Sequence, residues 1–114
     1  MEYRTLGDSD LKVSAIGFGA WAIGGKPFWS NEGDAISAQA IIKSYELGIN
    51  FFDTAPVYGF GHSEELLGKT LKPFRENVIY ATKCGLRWGN KTLGAITKNA
   101  TRKSILEEID LSLK

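Results

Sequence analysis

The chain has 114 residues, 14 Lys and Arg against 13 Asp and Glu, 43% apolar residues and 24% charged ones. That composition excludes a disordered chain, because the apolar fraction is enough to offset ordering entropy, and it holds no apolar run long enough to span a bilayer. A net charge of +1 without basic clusters argues against nucleic acid or an anionic membrane as the main partner, and the single cysteine, Cys84, excludes an internal disulfide and fits a reducing, cytoplasmic compartment.

Tyr3-Arg4-Thr5-Leu6 and Leu11-Lys12-Val13-Ser14 flank Gly7-Asp8-Ser9-Asp10, so residues 1–14 read as a β-hairpin. A buried strand is expected over Ala15–Phe18, followed by a long loop carrying Gly19, Gly24, Gly25 and Pro27. A helix is expected to begin near Asp34, with Ala38, Ile41, Ile42 and Tyr45 on one apolar face and Gly48 as its stop. Ile49–Asp53 is the next strand. His62 or Ser63 caps a second helix with Leu66, Leu67 and Leu71 inward, and Pro73 blocks its continuation. Val78–Thr82 is the following strand and Cys84–Ala100 a loop. Thr101 caps a third helix with Ile105, Leu106, Ile109 and Leu113 on one side. After the hairpin, residues 15–114 thus form three strand-helix units, which implies right-handed crossovers and a parallel sheet. An open doubly wound sheet and a (β/α)8 barrel both fit this pattern. The barrel needs eight such units and about 250 residues.

In parallel α/β folds the site lies at the C-terminal ends of the strands. Those ends carry Gly19-Ala20-Trp21, Asp53 to Gly59, and Lys83-Cys84-Gly85. Asp53 shares a strand face with Phe51, and Lys83 shares one with Ala81. Neighbouring parallel strands run about 4.8 Å apart, so carboxylate and ammonium are within reach of an ion pair. Tyr58, a few residues past its strand, can fold back over them. An ammonium beside a phenol favours the phenolate. A tyrosine so placed can protonate a carbonyl oxygen while a hydride reaches the carbon, or take a proton from an alcohol in reverse. From spacing alone, a structural ion pair is the weightier reading of Asp53 and Lys83.

The segments Ile16–Trp21, Gly48–Gly59, Ser63–Gly68 and Ala81–Lys83, together with the N-terminal hairpin, closely resemble the aldo-keto reductase family over essentially the whole chain. The resemblance reverses the weighting above. It implies the N-terminal part of a parallel (β/α)8 TIM barrel, a leading β-hairpin and the first three of eight βα units. It implies an NADP(H)-dependent oxidoreductase that reduces small aldehydes and ketones to alcohols. Asp53, Tyr58 and Lys83 match three of the family's four catalytic positions, with Tyr58 as proton donor. Gly19, Ala20 and Trp21, with Asp53, match the cofactor-binding loop at the nicotinamide. Trp21, Tyr58 and Trp88 are the implied substrate wall, and the loops Lys26–Gly33 and Gly85–Ala100 are expected to shape substrate choice. The family's catalytic histidine would lie beyond Lys114, as would the grip on the cofactor's pyrophosphate and adenosine.

Other motifs carry less. His62, the single histidine, reads as a solvated or capping residue. Gly17-Phe18-Gly19-Ala20-Trp21-Ala22 matches a dinucleotide fingerprint by letter, yet no helix opens there to face a pyrophosphate. No Cys and His spacing suggests a metal. The 114 residues alone are expected to be inactive and to self-associate through open strand edges. The alternatives are a non-catalytic barrel fragment, a short folding or assembly unit, or a cofactor-binding accessory subunit of the same family.

Overall fold

A computed structural model describes residues 1–30 and 33–114. Asn31 and Glu32, inside the loop expected to shape substrate choice, lie outside the described residues. The N-terminal hairpin pairs β1 (Tyr3–Thr5) antiparallel with β2 (Lys12–Ser14), and Gly7 supplies a turn residue at φ 57°. It is fastened beneath the sheet. The Asn50 amide accepts the Ser14 N–H at 2.7 Å and donates to the Lys12 carbonyl at 2.9 Å. Tyr3 donates its hydroxyl to the Gly48 carbonyl at 2.8 Å. Gly48 and Asn50 precede the second sheet strand, so the hairpin sits at the end of the sheet opposite Asp53.

The sheet is parallel, in the order β3 (Phe18–Gly19), β4 (Phe51–Asp53), β5 (Ile79–Ala81). Phe18 lies opposite Phe52, and Phe52 opposite Tyr80. These three point to the helix side, where Phe52 is fully buried against Ile41 of α1 (Asp34–Glu46) and Leu66, Leu67 and Leu71 of α2 (His62–Leu71). The alternate residues Phe51, Asp53, Ile79 and Ala81 share the other face. This parity puts Asp53 on the inner side of the rim.

Several local expectations shift. β3 begins at Phe18, because Ala15 still bonds back to the Glu2 carbonyl and the Ser14 hydroxyl to that of Ile16. Gly33 and Gly61 stand at the helix N-caps where Asp34 and His62 or Ser63 were expected. The expected loop Cys84–Ala100 contains an antiparallel hairpin, β6 (Leu86–Trp88) with β7 (Ile96–Lys98). Thr101 does cap the third helix, α3 (Arg102–Ser112), accepting the Ser104 N–H. Yet α3 buries Ser104 and Glu108, while Leu106 and Ile109 of the expected apolar face are each 45% exposed. The inner side of α3 meets the polar backbone after β5, and that decides which side turns inward.

Ser63 does more than a cap would. It is fully buried and donates its hydroxyl proton to the Ala20 carbonyl at 2.9 Å, so the Thr54 hydroxyl, also 2.9 Å away, must be the donor to Ser63. One side chain thereby ties the residues after β3 and β4 to the start of α2. Ser63→Ala leaves that carbonyl and hydroxyl without this partner and is expected to cost about 1–3 kcal/mol. The measurement is the urea midpoint at an unchanged m-value. A neutral substitution would contradict the assignment.

Candidate active site

The strand ends bring together the three residues singled out by sequence. Lys83 donates from Nζ to both carboxylate oxygens of Asp53, each at 2.8 Å, and to the Thr54 carbonyl at 2.9 Å. All three ammonium protons are therefore engaged. The same nitrogen lies 5.2 Å from the centre of the Tyr58 ring, within range of a cation–π contact. The pair is half-exposed, with side-chain exposures of 48% for Lys83 and 44% for Asp53. Burial draws the Lys83 pKa down, but the hydrogen bond and charge of Asp53, joined by Tyr58, outweigh it and raise it above the ordinary 10.5. The lysine is a standing cation throughout the physiological range.

Tyr58 is placed by its backbone. Its N–H bonds to the Ala55 carbonyl at 3.0 Å, and its carbonyl accepts the Ser63 N–H at 3.2 Å. The chain then passes through three left-handed residues, Gly59 at φ 62°, Phe60 at 55° and Gly61 at 97°. A Cβ on Gly59 would run into the Gly24 carbonyl, and one on Gly24 would meet the Tyr58 carbonyl carbon at 2.8 Å. Two bare backbones in contact thus hold the tyrosine turn against the β3–α1 loop. Phe60 is a bulky residue in a conformation that disfavours a side chain. It is held there by ring contacts to Phe28 at 6.2 Å and Trp88 at 5.5 Å. Sequence reasoning missed Gly24, Gly59 and Phe60 as the parts that aim Tyr58. The Gly59-Phe60-Gly61 run was the visible signal.

Beside the phenol lies an apolar depression of about 290 Å³ lined by Trp21, Phe28, Val57, Tyr58, Leu86 and Ile96. The Trp21 ring centre is 6.2 Å from that of Tyr58 and 5.4 Å from that of Trp29, edge to face. Trp88 does not line the depression. It lies opposite Ile96 in the hairpin, on the same strand face as Leu86, and packs on Phe60, while Leu86 and Ile96 of the unforeseen hairpin line the depression.

The residues expected at a cofactor divide in two. Gly19 is exposed and lies opposite Asp53 in the sheet, and a Cβ there would meet nothing within 4 Å. That open face, next to the exposed Trp21 indole, fits a flat ring resting against the strand ends. Ala20 is fully buried, and its N–H donates to the Asp53 carbonyl at 2.8 Å while its own carbonyl receives the Ser63 hydroxyl. It braces the loop from below and offers no surface. His62 pairs with Asp34 at 2.8 Å between the starts of α2 and α1, and Cys84 is an exposed free thiol. Among the described residues no group of three or more His, Cys, Asp or Glu could hold a metal ion.

The raised Lys83 pKa sets a sign for pH dependence. A group protonated more tightly in the folded state stabilises that state fully below its unfolded pKa, and the contribution is lost as pH rises through the folded value. The stability difference between the native chain and Lys83→Met is therefore expected to stay level from neutral pH to the ordinary lysine range and to close above it. Denaturant titrations at stepped pH test this. A difference that closes between neutral pH and the ordinary lysine range would contradict it.

Comparison with known proteins gives one consistent result. The sequence profile of the Aldo/keto reductase family matches residues 15–114. The aldo-keto reductase YhdN of Bacillus subtilis is 43% identical over 116 residues, covering all of this chain and 34% of that protein. The NADH-specific methylglyoxal reductase of Escherichia coli is 42% identical over 123 residues, covering all of this chain and 38% of that protein. The holo form of an aldo-keto reductase from Bacillus halodurans superposes with a TM-score of 0.87 at 34% identity, over 99% of this chain and 35% of that one. The chain spans about a third of the length of the relatives it matches, and its fold is the N-terminal part of a (β/α)8 barrel. The chain belongs to the aldo/keto reductase family.

Proposed function

We propose that the protein is an oxidoreductase that converts the carbonyl group of a small aldehyde or ketone to an alcohol, with Tyr58 as the proton donor. The observation that carries this reading is the Lys83 ammonium, bonded to both oxygens of Asp53 and 5.2 Å from the Tyr58 ring centre. A proton leaving Tyr58 for a carbonyl oxygen leaves a phenolate behind. The cation facing the ring stabilises that charge, and Asp53 keeps the cation in place. In the oxidation direction the same phenolate accepts the alcohol proton.

A reduced nicotinamide, when bound, supplies the hydride for the carbonyl carbon. Gly19, Trp21 and Asp53 are the residues that would hold its ring on this chain, with Ala20 bracing the loop beneath. We take NADP(H) as the cofactor, and the NADH-specific relative makes NADH the comparison to run. Trp21, Phe28 and Tyr58, with Leu86 and Ile96, would enclose the carbonyl substrate and exclude water. The near-neutral charge fits a small-molecule partner rather than nucleic acid, and no helix among the described residues is long and apolar enough to cross a membrane. The lone free cysteine fits the cytoplasm.

Tyr58→Phe is expected to abolish carbonyl reduction in the active protein while leaving its circular dichroism unchanged. Retained reduction would remove Tyr58 as donor. Cofactor binding without turnover in the native protein would favour the accessory-subunit reading instead.

The 114 residues on their own are proposed to be inactive and to self-associate. β3 and β5 leave unpaired strand edges among the described residues, and Ile16, Leu111 and Leu113 are 62%, 60% and 79% exposed. Sedimentation of the isolated chain is expected to show oligomers. A monodisperse monomer with a cooperative melt would contradict this.

A further inference from the structure

Strand pairing carries β5 only as far as Ala81, which lies opposite Asp53 and whose carbonyl accepts the Thr54 N–H at 2.8 Å. Lys83 is two residues further on. The direction of its backbone depends on what holds residues 82–85, and two carboxylates do so, one on each side. From α2, Glu64 Oε1 accepts the Thr82 hydroxyl at 2.6 Å. From α3, Glu108 Oε2 accepts the Gly85 N–H at 2.9 Å.

Glu108 is only 4% exposed, on a helix that leaves Leu106 and Ile109 facing outward. A buried carboxylate is costly unless its oxygens accept hydrogen bonds. Both do, since Oε1 receives the Ser104 hydroxyl at 3.0 Å. A helix that needed only to cover a sheet would place a leucine there. Gly85 is the hinge of this segment. Its φ is 99°, and its carbonyl accepts the Asn99 N–H at 3.0 Å, closing the base of the β6–β7 hairpin. The neighbouring Glu107 reaches Arg87 of β6 at 3.4 Å. The same turn of α3 therefore holds both the peptide behind Lys83 and the hairpin whose Leu86 and Ile96 wall the depression.

We propose that Glu64 and Glu108 are positioning residues that fix Lys83 from either side, with Glu108 also setting the hairpin wall. Neither touches the reacting atoms. What Lys83 is positioned to do rests on the carbonyl-reductase reading, but the positioning itself can be measured without turnover.

The experiment is competitive acetylation of lysines in the active protein by an N-hydroxysuccinimide ester, mapped by mass spectrometry. Lys83, held by Asp53, is expected to react more slowly than the exposed Lys72. In Glu108→Ala and in Glu64→Ala the ratio of Lys83 to Lys72 labelling is expected to rise about three- to tenfold, the loosening that one net hydrogen bond represents. Glu108→Gln keeps an acceptor for the Gly85 N–H and stays near the native ratio. Ile41→Val loosens the core without touching this segment and leaves the ratio unchanged. Should Glu108→Ala fail to fold, Glu64→Ala and Glu108→Gln carry the test. An unchanged ratio in the folded alanine variants overturns the proposal, as does an equal rise in Ile41→Val. Failure of the functional reading looks different: reduction survives Tyr58→Phe while Lys83 labelling still responds to Glu108 and Glu64.

Discussion

The rim of this sheet is organised by one ammonium. Lys83 gives its three protons to Asp53, Asp53 again and the Thr54 carbonyl, all at the end of the neighbouring strand. Two parallel strands whose backbone pairing stops at Asp53 and Ala81 are thereby joined one step further, by side chains. The contact also decides where a positive charge stands relative to Tyr58. A half-exposed ion pair contributes little to stability in general, on the order of 1 kcal/mol or less. Its significance here is directional: it fixes a cation against one face of a phenol that a turn of left-handed residues has aimed at it.

That turn and the ion pair rely on different parts of the chain. Asp53 is carried by a strand, whose alternation sets the side on which it emerges, and Lys83 follows two residues past the end of the next strand. Tyr58 is carried by a loop, and loops need other constraints. Gly24 and Gly59 supply one by bringing two backbones into contact without side chains between them. Ser63 supplies another by linking Thr54 to Ala20 through two buried hydroxyl contacts. Phe60, wedged between Phe28 and Trp88, keeps the turn from relaxing. The polar and aromatic contacts around the rim thus converge on the position of one hydroxyl.

The meeting of Asp53 with Lys83 was legible in the sequence because strand alternation, a property of the backbone, fixes the side of Asp53 and of Ala81, and Lys83 keeps that side two residues past the end of β5. The helix faces around Ile41 and Leu67 were legible for the same reason, through their period. The Cys84–Ala100 segment was not. Its strands are three residues long, and Leu86-Arg87-Trp88 alternates too briefly to separate from a loop. Missing that hairpin meant missing Leu86 and Ile96, which line the depression, while Trp88 on the same strand face packs on Phe60 beside it. α3 shows the opposite error. Its apolar period is real, yet the side turned inward is chosen by Gly85, whose N–H requires an acceptor that Ile105 or Ile109 could not supply. Ala20 looked like a surface of the loop by its neighbours Gly19 and Trp21, and only the packing beneath showed it to be support.

The central claim is that Asp53 and Lys83 act as one unit rather than as two solvated charges on the same rim. A double-mutant cycle with Asp53→Asn, Lys83→Met and the double variant tests it most directly, by unfolding free energies at neutral pH and low salt. The account predicts a coupling of about 0.5–1 kcal/mol that shrinks as salt is added. Single substitutions that simply add, within about 0.3 kcal/mol at low salt, would contradict it.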